Sequence, residues 1–362
     1  MFKYLTKFFN TNMFFLLLLI IVAFSLYGKS INFELTKFDD DTLITTNINF
    51  ISGFRNIPKL FVKSVFYDDN IPYYRPVLTL SFAIESLFVR DNLRLYHLTN
   101  IILFILSLYL FYLFCKELNL NSTITKFVLL IIAVHPMFAS VVVWIPGRND
   151  SLLTVFFLLS FVFFIRYINT RKIKYLFFFY VFFTISLFTK ETFIFLIPLY
   201  FVYLSSYNRK VSKNNLVLFS ISLIPLILIF FILRNLSIVM FDYELYISKI
   251  SPVLLNFTKY IFIYTYNFFI PEYIPMMLFD ANFSLKIIIY NCLFLAILFF
   301  ALYKRVLQQK VFVFAICFVV LSLFPTFLQE DVVYLNHRFF ISSLGFIIII
   351  IIFLEYLIAK IN

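Results

Sequence analysis

Residues 13–41 read MFFLLLLIIVAFSLYGKSINFELTKFDDD: an unbroken apolar run, a short polar stretch, then three carboxylates in a row. The run Met13–Leu26 carries no charge, and a helix crosses a bilayer with about 20 predominantly apolar residues. Lys3 and Lys7 precede it, and Tyr27-Gly28-Lys29 is a poor cleavage site. This predicts an uncleaved first span with a cytoplasmic N-terminus.

Similar runs recur along the whole chain. Of the 362 residues, 63% are hydrophobic, 22% are aromatic and 13% are charged. Soluble domains hold about 45–50% apolar and about 25% charged residues, so the composition excludes that class. The apolar runs are continuous rather than alternating, which argues against a barrel. The fold expected is an all-α polytopic membrane protein in one transmembrane domain, residues 1–362, with no internal repeat. The net charge of +12 sits largely in short loops, where it reads as cytoplasmic orientation signal and not as a nucleic-acid surface. Cys115, Cys292 and Cys317 lie in or at the ends of apolar runs without metal-like spacing. They read as packing residues.

Span 1 (13–27) is followed by a long outer loop, 28–96, containing a short apolar helix at 77–89 that reads as interfacial. Spans are then expected at 97–115, 124–143, the stretch ending at 168, 175–189, 192–206, 215–233, 285–303, 311–328 and 339–358. Residues 252–279, broken by Pro252, Pro271 and Pro275, read as an outer interfacial or re-entrant segment. Counting them as a span would put Lys304, Arg305 and Lys310 outside, against the charge rule. The total is about 10–11 helices across the membrane.

That topology gathers Asp39–Asp41, Arg75, His97, His135, Arg148, Asp150, Lys190, Glu191, Arg234, His337 and Arg338 on the non-cytoplasmic face. With only 18 Asp and Glu in the chain, the triplet stands out. A carboxylate there can act as general base toward a hydroxyl, and adjacent carboxylates can bind Mg²⁺ or Mn²⁺; the plainer reading is a helix cap. Arg148 suits a phosphate, or pairs with Asp150. Lys190 and Glu191 read equally well as an ion pair with each other. Arg234 can be a snorkelling side chain, and His337-Arg338 an anchor for the last span. Outer-face cations beside an acidic triplet suit an anionic, lipid-borne substrate.

In order, Phe38-Asp39-Asp40-Asp41-Thr42-Leu43-Ile44 with Asn47, Tyr74-Arg75-Pro76, His97 with Asn100 and Ala133-Val134-His135-Pro136 form the first part of a pattern. Val143-Trp144-Ile145-Pro146-Gly147-Arg148-Asn149-Asp150, Lys190-Glu191 and Asn336-His337-Arg338 complete it. Across about residues 30–345 this resembles the membrane part of the transmembrane and tetratricopeptide-repeat O-mannosyltransferases and their bacterial relatives. These are similar to the protein O-mannosyltransferases of the GT-C glycosyltransferase superfamily. The resemblance implies a GT-C-type helix bundle and an inverting glycosyltransferase. Its donor would be a polyprenyl-phosphate-linked sugar, mannose or another hexose, and its acceptor a glycan or protein hydroxyl.

The family's essential acidic pair maps onto Asp39 and Asp40. Arg148, Lys190, Arg234 and Arg338 become candidates for the donor phosphate, of which only Arg148, Lys190 and Arg338 lie in matching motifs; Arg75, His135, Asp150, Glu191 and His337 are candidates for other substrate contacts. The lipid tail would lie among membrane lipids. Two positions depart from the family: Ala139-Ser140 stands where many relatives have Glu after the His-Pro, and His337-Arg338 where many have Glu-Arg. The repeat domain is missing from the chain, so acceptor recognition through repeats does not carry over. A transporter or flippase of a lipid-linked glycan and an inactive scaffold relative are the alternatives. The richness in Phe, Ile, Asn and Lys suggests a bacterium, hence a cytoplasmic (inner) membrane with the site facing outward.

Overall fold

The computed structural model describes residues 11–67, 72–207, 213–238, 261–271, 277–278, 285–293, 309–327 and 334–361. Asp68 and Asp69, Arg209 and Lys210, Lys304 and Arg305, and much of 252–279, 285–303 and 329–338 lie outside the described residues. The main helices are α1 (Asn12–Tyr27), α2 (Pro76–Val89), α3 (Leu93–Glu117), α4 (Ser122–Ala133), α5 (Arg148–Thr170), α6 (Ile173–Thr189), α7 (Pro198–Tyr207), α8 (Lys213–Ser237), α9 (Gln309–Phe327) and α10 (Phe339–Ile361).

Among the described residues, five helices are long and apolar enough to cross a membrane: Asn12–Asn32, Leu93–Glu117, Ile145–Thr170, Leu216–Ser237 and Asn336–Ile361. Shorter apolar helices cover Pro76–Val89, Ile173–Thr189, Glu191–Ser206 and Lys310–Thr326. This is an all-α polytopic, multi-pass membrane protein. Its apolar exterior follows from the solvent: Phe127, Phe177, Leu218 and Leu236 are all exposed, as lipid permits and water would not.

One span differs from the sequence expectation. The straight helix predicted at 124–143 is broken into Ser122–Ala133 and Pro136–Val143, bent by 64°. Pro136 has no N–H to continue the ladder, and its ring pushes the preceding residue out of the helical region. His135 accordingly has φ −73 and ψ 123. It sits at the break, not on a helix.

The chain packs as two compact units. Unit 1 holds residues up to Glu117, then Val141–Ile194 and Lys210–Phe241. Its central helix is α5, which packs against both α3 and α6. The most apolar window of that span is 67% buried, against 11% for α8, so α5 is core and α8 presents most of its surface outward. Interleaved rings join α5 to its neighbours, Phe161 to Phe114 at 5.3 Å and Phe163 to Phe182 at 5.6 Å. At the other end Arg166 Nε donates to Glu117 at 2.7 Å. The C-termini of α3 and α5 therefore lie together, as two ends drawn on the same side should.

Unit 2 holds Leu118–Ser140, Phe195–Arg209 and Asp242–Asn362. Here α9 and α10 touch at Gly345. A Cβ on Gly345 would lie 2.6 Å from Val319 Cγ2 and 2.8 Å from the Ala315 carbonyl oxygen. Small residues let membrane helices approach this closely. A two-residue antiparallel bridge pairs Met277 with Leu335, and Tyr264 stacks on Phe339 at 4.9 Å.

Candidate active site

The acidic triplet is held by its own loop. Asp40 is 1% exposed. Its carboxylate accepts from the Thr36 N–H at 2.7 Å, the Thr36 hydroxyl at 2.9 Å and the Phe38 N–H at 3.0 Å. Asp41 opens a single π-type turn, Asp41–Thr45, and accepts from the Thr45 hydroxyl. Asn47 Nδ2 closes the turn onto the Thr42 carbonyl at 2.8 Å. Asp39 is half-buried. The three neighbours are therefore not equivalent: Asp40 organises the loop, and Asp39 stands nearer its surface.

Apolar residues on both sides of the triplet fasten it down. Leu43 and Ile44 are buried in one cluster with Val65, Leu78, Phe82, Tyr96 and Ile145, and Leu35 and Ile48 pack on its edge. The acids thus stand over a platform made from α2, the start of α3 and the turn before α5. His97 is 2% exposed with its ring edge-on to Phe33 at 6.4 Å. Its nitrogens face the backbone near Phe33 and Val143 without closing a hydrogen bond of good geometry.

Arg148 lies inside this platform, fully buried. Its guanidinium donates to Glu85 at 2.8 Å, to Asn100 Oδ1 at 2.9 Å, to the Tyr96 carbonyl at 2.9 Å and to the Ser81 hydroxyl at 3.3 Å. It also stacks 4.5 Å above the Phe82 ring. Asn100 Nδ2 in turn donates to the carbonyls of Trp144 and Ile145 at 3.0 and 3.2 Å, which fixes the turn that delivers Arg148.

The charges pair across segments, not along them. Glu85 of α2 pairs with Arg148 of α5. Asp150 of α5 pairs with Lys190, at the junction after α6, at 2.7 Å. Glu191 of that junction pairs with Arg75, at the head of α2, at 2.6 Å. Three segments, each bearing one cation and one anion, close a neutral triangle. The two local pairings considered from the sequence, Arg148 with Asp150 and Lys190 with Glu191, are both replaced.

The reasons are geometric. Residues i and i+2 of a helix do not face each other, so Asp150 turns away from Arg148. Lys190 is extended, φ −155 and ψ 129, and neighbouring side chains of extended backbone point to opposite sides.

The triangle is graded in exposure. Side chains of Arg148 and Glu85 are 0% and 9% exposed, those of Lys190 and Asp150 are 9% and 2%, and those of Arg75 and Glu191 are 15% and 23%. Arg75 also lies 4.6 Å over the Tyr73 ring. Desolvation alone would raise the Glu191 carboxyl. The charge and paired hydrogen bonds of Arg75 overcome it and hold Glu191 below the usual carboxylate range. Asp150 Oδ2 accepts no hydrogen bond from a described residue and lies in the field of Arg75.

The remaining predicted residues are placed elsewhere. Arg234 is half-buried near the end of α8. In unit 2, His135 stacks on Phe268 at 5.4 Å, with Nε2 2.9 Å from the Phe268 carbonyl oxygen. His337 is buried and Arg338 half-buried in the 3₁₀ turn Asn336–Arg338 that opens α10. Glu85 was missed from the sequence, although its signal was there. A lone acid inside the apolar run Pro76–Val89 is costly unless paired. Among the described residues no three His, Cys, Asp or Glu side chains gather to hold a metal ion.

Residues 76–233 match the sequence profile of a family described as dolichyl-phosphate-mannose-protein mannosyltransferase. Over those residues the chain is similar to mannosyltransferases. Protein O-mannosyl-transferase TMTC2 of Mus musculus is 31% identical over 144 residues, covering 37% of this chain and 16% of the relative. The Homo sapiens protein of that name gives the same figures. The Xenopus laevis one is 37% identical over 98 residues, covering 27% of this chain and 12% of the relative. The matched region is thus a small part of each relative's length. No solved structure matches. The profile match takes in Glu85, Asn100, His135, Arg148, Asp150, Lys190 and Glu191; it leaves out Asp39–Asp41, Arg75, Arg234 and His337-Arg338.

Proposed function

We propose that the protein is a glycosyltransferase that moves a hexose, mannose first among them, from a polyprenyl-phosphate carrier to an acceptor hydroxyl. The observation that carries this reading is the mannosyltransferase-family match over the segments that build the charge triangle. The acidic loop rests on the same platform as that triangle.

In the mechanism we infer, Asp39 takes the proton of the acceptor hydroxyl as its oxygen attacks the anomeric carbon. The bond to phosphate breaks on the opposite side, giving inversion, and the polyprenyl phosphate leaves as an anion. Fixed cations stabilise charge where it develops. Arg75 and Lys190, the more exposed cations of the triangle, are the candidates there, whereas Arg148 is fully buried and donates to four protein oxygens. Asp150 Oδ2 would accept from a sugar hydroxyl. His135, Arg234, His337 and Arg338 stay candidates for the carrier or acceptor. The site would face outward from a bacterial cytoplasmic membrane, with the carrier's tail in the lipid.

The test is consumption of radiolabelled polyprenyl-phosphate mannose by the protein in lipid, beside Asp39→Asn and Asp40→Asn. A general base contributes about 10²–10⁴-fold, so Asp39→Asn should lose that factor with donor binding retained. Movement of the lipid-linked sugar across vesicles without its cleavage would replace the transferase with a transporter.

A further inference from the structure

We propose that Glu85 and Arg148 are positioning residues for the acidic loop, and that Arg148 is not a ligand of the donor phosphate. This rests on the transferase reading, since it assigns a role within that reaction.

Three observations converge. Arg148 is 0% exposed, and its guanidinium meets Glu85, Asn100, the Tyr96 carbonyl and Ser81. To reach a phosphate it would have to abandon Glu85 and leave a buried carboxylate uncompensated. The guanidinium carbon lies over the Phe82 ring at 4.5 Å and over the Tyr96 ring at 5.8 Å. Those two rings belong to the cluster that receives Leu43 and Ile44, directly after the acids. The polar side of the platform is therefore tied by Arg148, and its apolar side carries the loop that presents Asp39.

The pair also sets an orientation. Glu85 comes from α2, the Tyr96 carbonyl and Asn100 from α3, and Arg148 from the first turn of α5. One guanidinium fixes three helix segments by directional hydrogen bonds, which apolar contact alone does not do. Lysine could keep the charge but not this planar fork. A small shift of the platform would move Asp39 relative to an acceptor, and a misplacement of about 1 Å can cost about 100-fold.

The test uses the full chain in lipid with polyprenyl-phosphate mannose as the probe, comparing wild type, Glu85→Gln and Arg148→Lys. Three quantities are read: kcat, KM for the donor, and hydrogen-exchange protection of the amides of residues 36–45. The expected result is a fall in kcat of about 100-fold in both variants, donor KM within about twofold of wild type, and lost protection at 36–45. A phosphate ligand would behave differently. Arg148→Lys would then raise donor KM, Glu85→Gln would not lower kcat, and protection at 36–45 would stay unchanged; that result overturns the proposal.

Should the single variants fail to fold, Glu85→Met combined with Arg148→Met removes the pair without stranding a charge, and carries the same three readings. If the wild type consumes no donor, the transferase reading fails by itself. The exchange at 36–45 still decides whether the buried pair holds the loop.

Discussion

The acidic loop and the charge triangle handle the same problem, polar groups in an apolar protein, in opposite ways. Asp40 finds its partners at Thr36 and Phe38, four and two residues away. The triangle's partners lie 40, 63 and 116 residues apart. Local bonding shapes one loop and leaves the rest of the chain indifferent to it. Remote bonding makes three segments depend on one another. Altering the loop should therefore cost little stability, and altering the triangle should cost much more.

The largest expected effect tests the second half of that contrast. Lys190→Met strands the Asp150 carboxylate at 2% exposure, and breaking a buried pair from one side costs about 3–5 kcal/mol. Thermal unfolding in detergent should show a marked fall in Tm. Adding Asp150→Asn should restore most of it; a Tm unmoved by Lys190→Met would show that the triangle does not hold unit 1.

A smaller effect is expected at the triangle's most exposed pair, and it depends on pH. Because Glu191 is held below its usual range, its contribution is fully present above the unfolded carboxyl value of about 4.3. It is lost as pH falls through the lower folded value. Wild-type stability should decline on that acid limb, and Glu191→Gln should show a lower plateau with a flatter limb. Identical acid limbs in the two proteins would remove Arg75–Glu191 from the stabilising set.

Next, Gly345→Ala addresses unit 2 alone, where the added carbon meets Val319 and the Ala315 carbonyl. Overpacking costs about 1–3 kcal/mol, so Tm should drop while the exchange of 36–45 stays as it was. The smallest effect is reserved for the loop. Thr36→Val removes the hydroxyl that reaches Asp40, a bond worth about 0.5–1.5 kcal/mol. It should loosen amides 36–45 in hydrogen exchange and lower turnover, with Tm nearly unchanged. A Tm loss like that of Lys190→Met would erase the distinction between the two regions.

Much of this was legible before any coordinates. Met13–Leu26 and its counterparts at 97–115, 215–233 and 339–358 read as helices, because an apolar run in lipid has to satisfy its backbone internally. The broken span at Pro136 was legible too, from the missing N–H, but its length and hydropathy overrode that signal in the sequence reading. The site was legible as an inventory: Asp39–Asp41, Arg75, Arg148, Asp150, Lys190 and Glu191 were all singled out. Glu85 was not, because it sits inside an apolar run and outside every motif.

The sequence by itself therefore determined an all-α, multi-pass membrane protein, the spans that could form, and which ionisable residues had to be accounted for. Only the tertiary structure decided who pairs with whom. Arg148 and Asp150, two residues apart on one helix, point in different directions, and Lys190 and Glu191 are parted by extended backbone. Partners brought together from 40 to 116 residues away are chosen by helix packing, and no local pattern records that choice. The local turn set Asp40 inside its loop and Asp39 toward the surface, a difference that three identical letters in a row cannot carry.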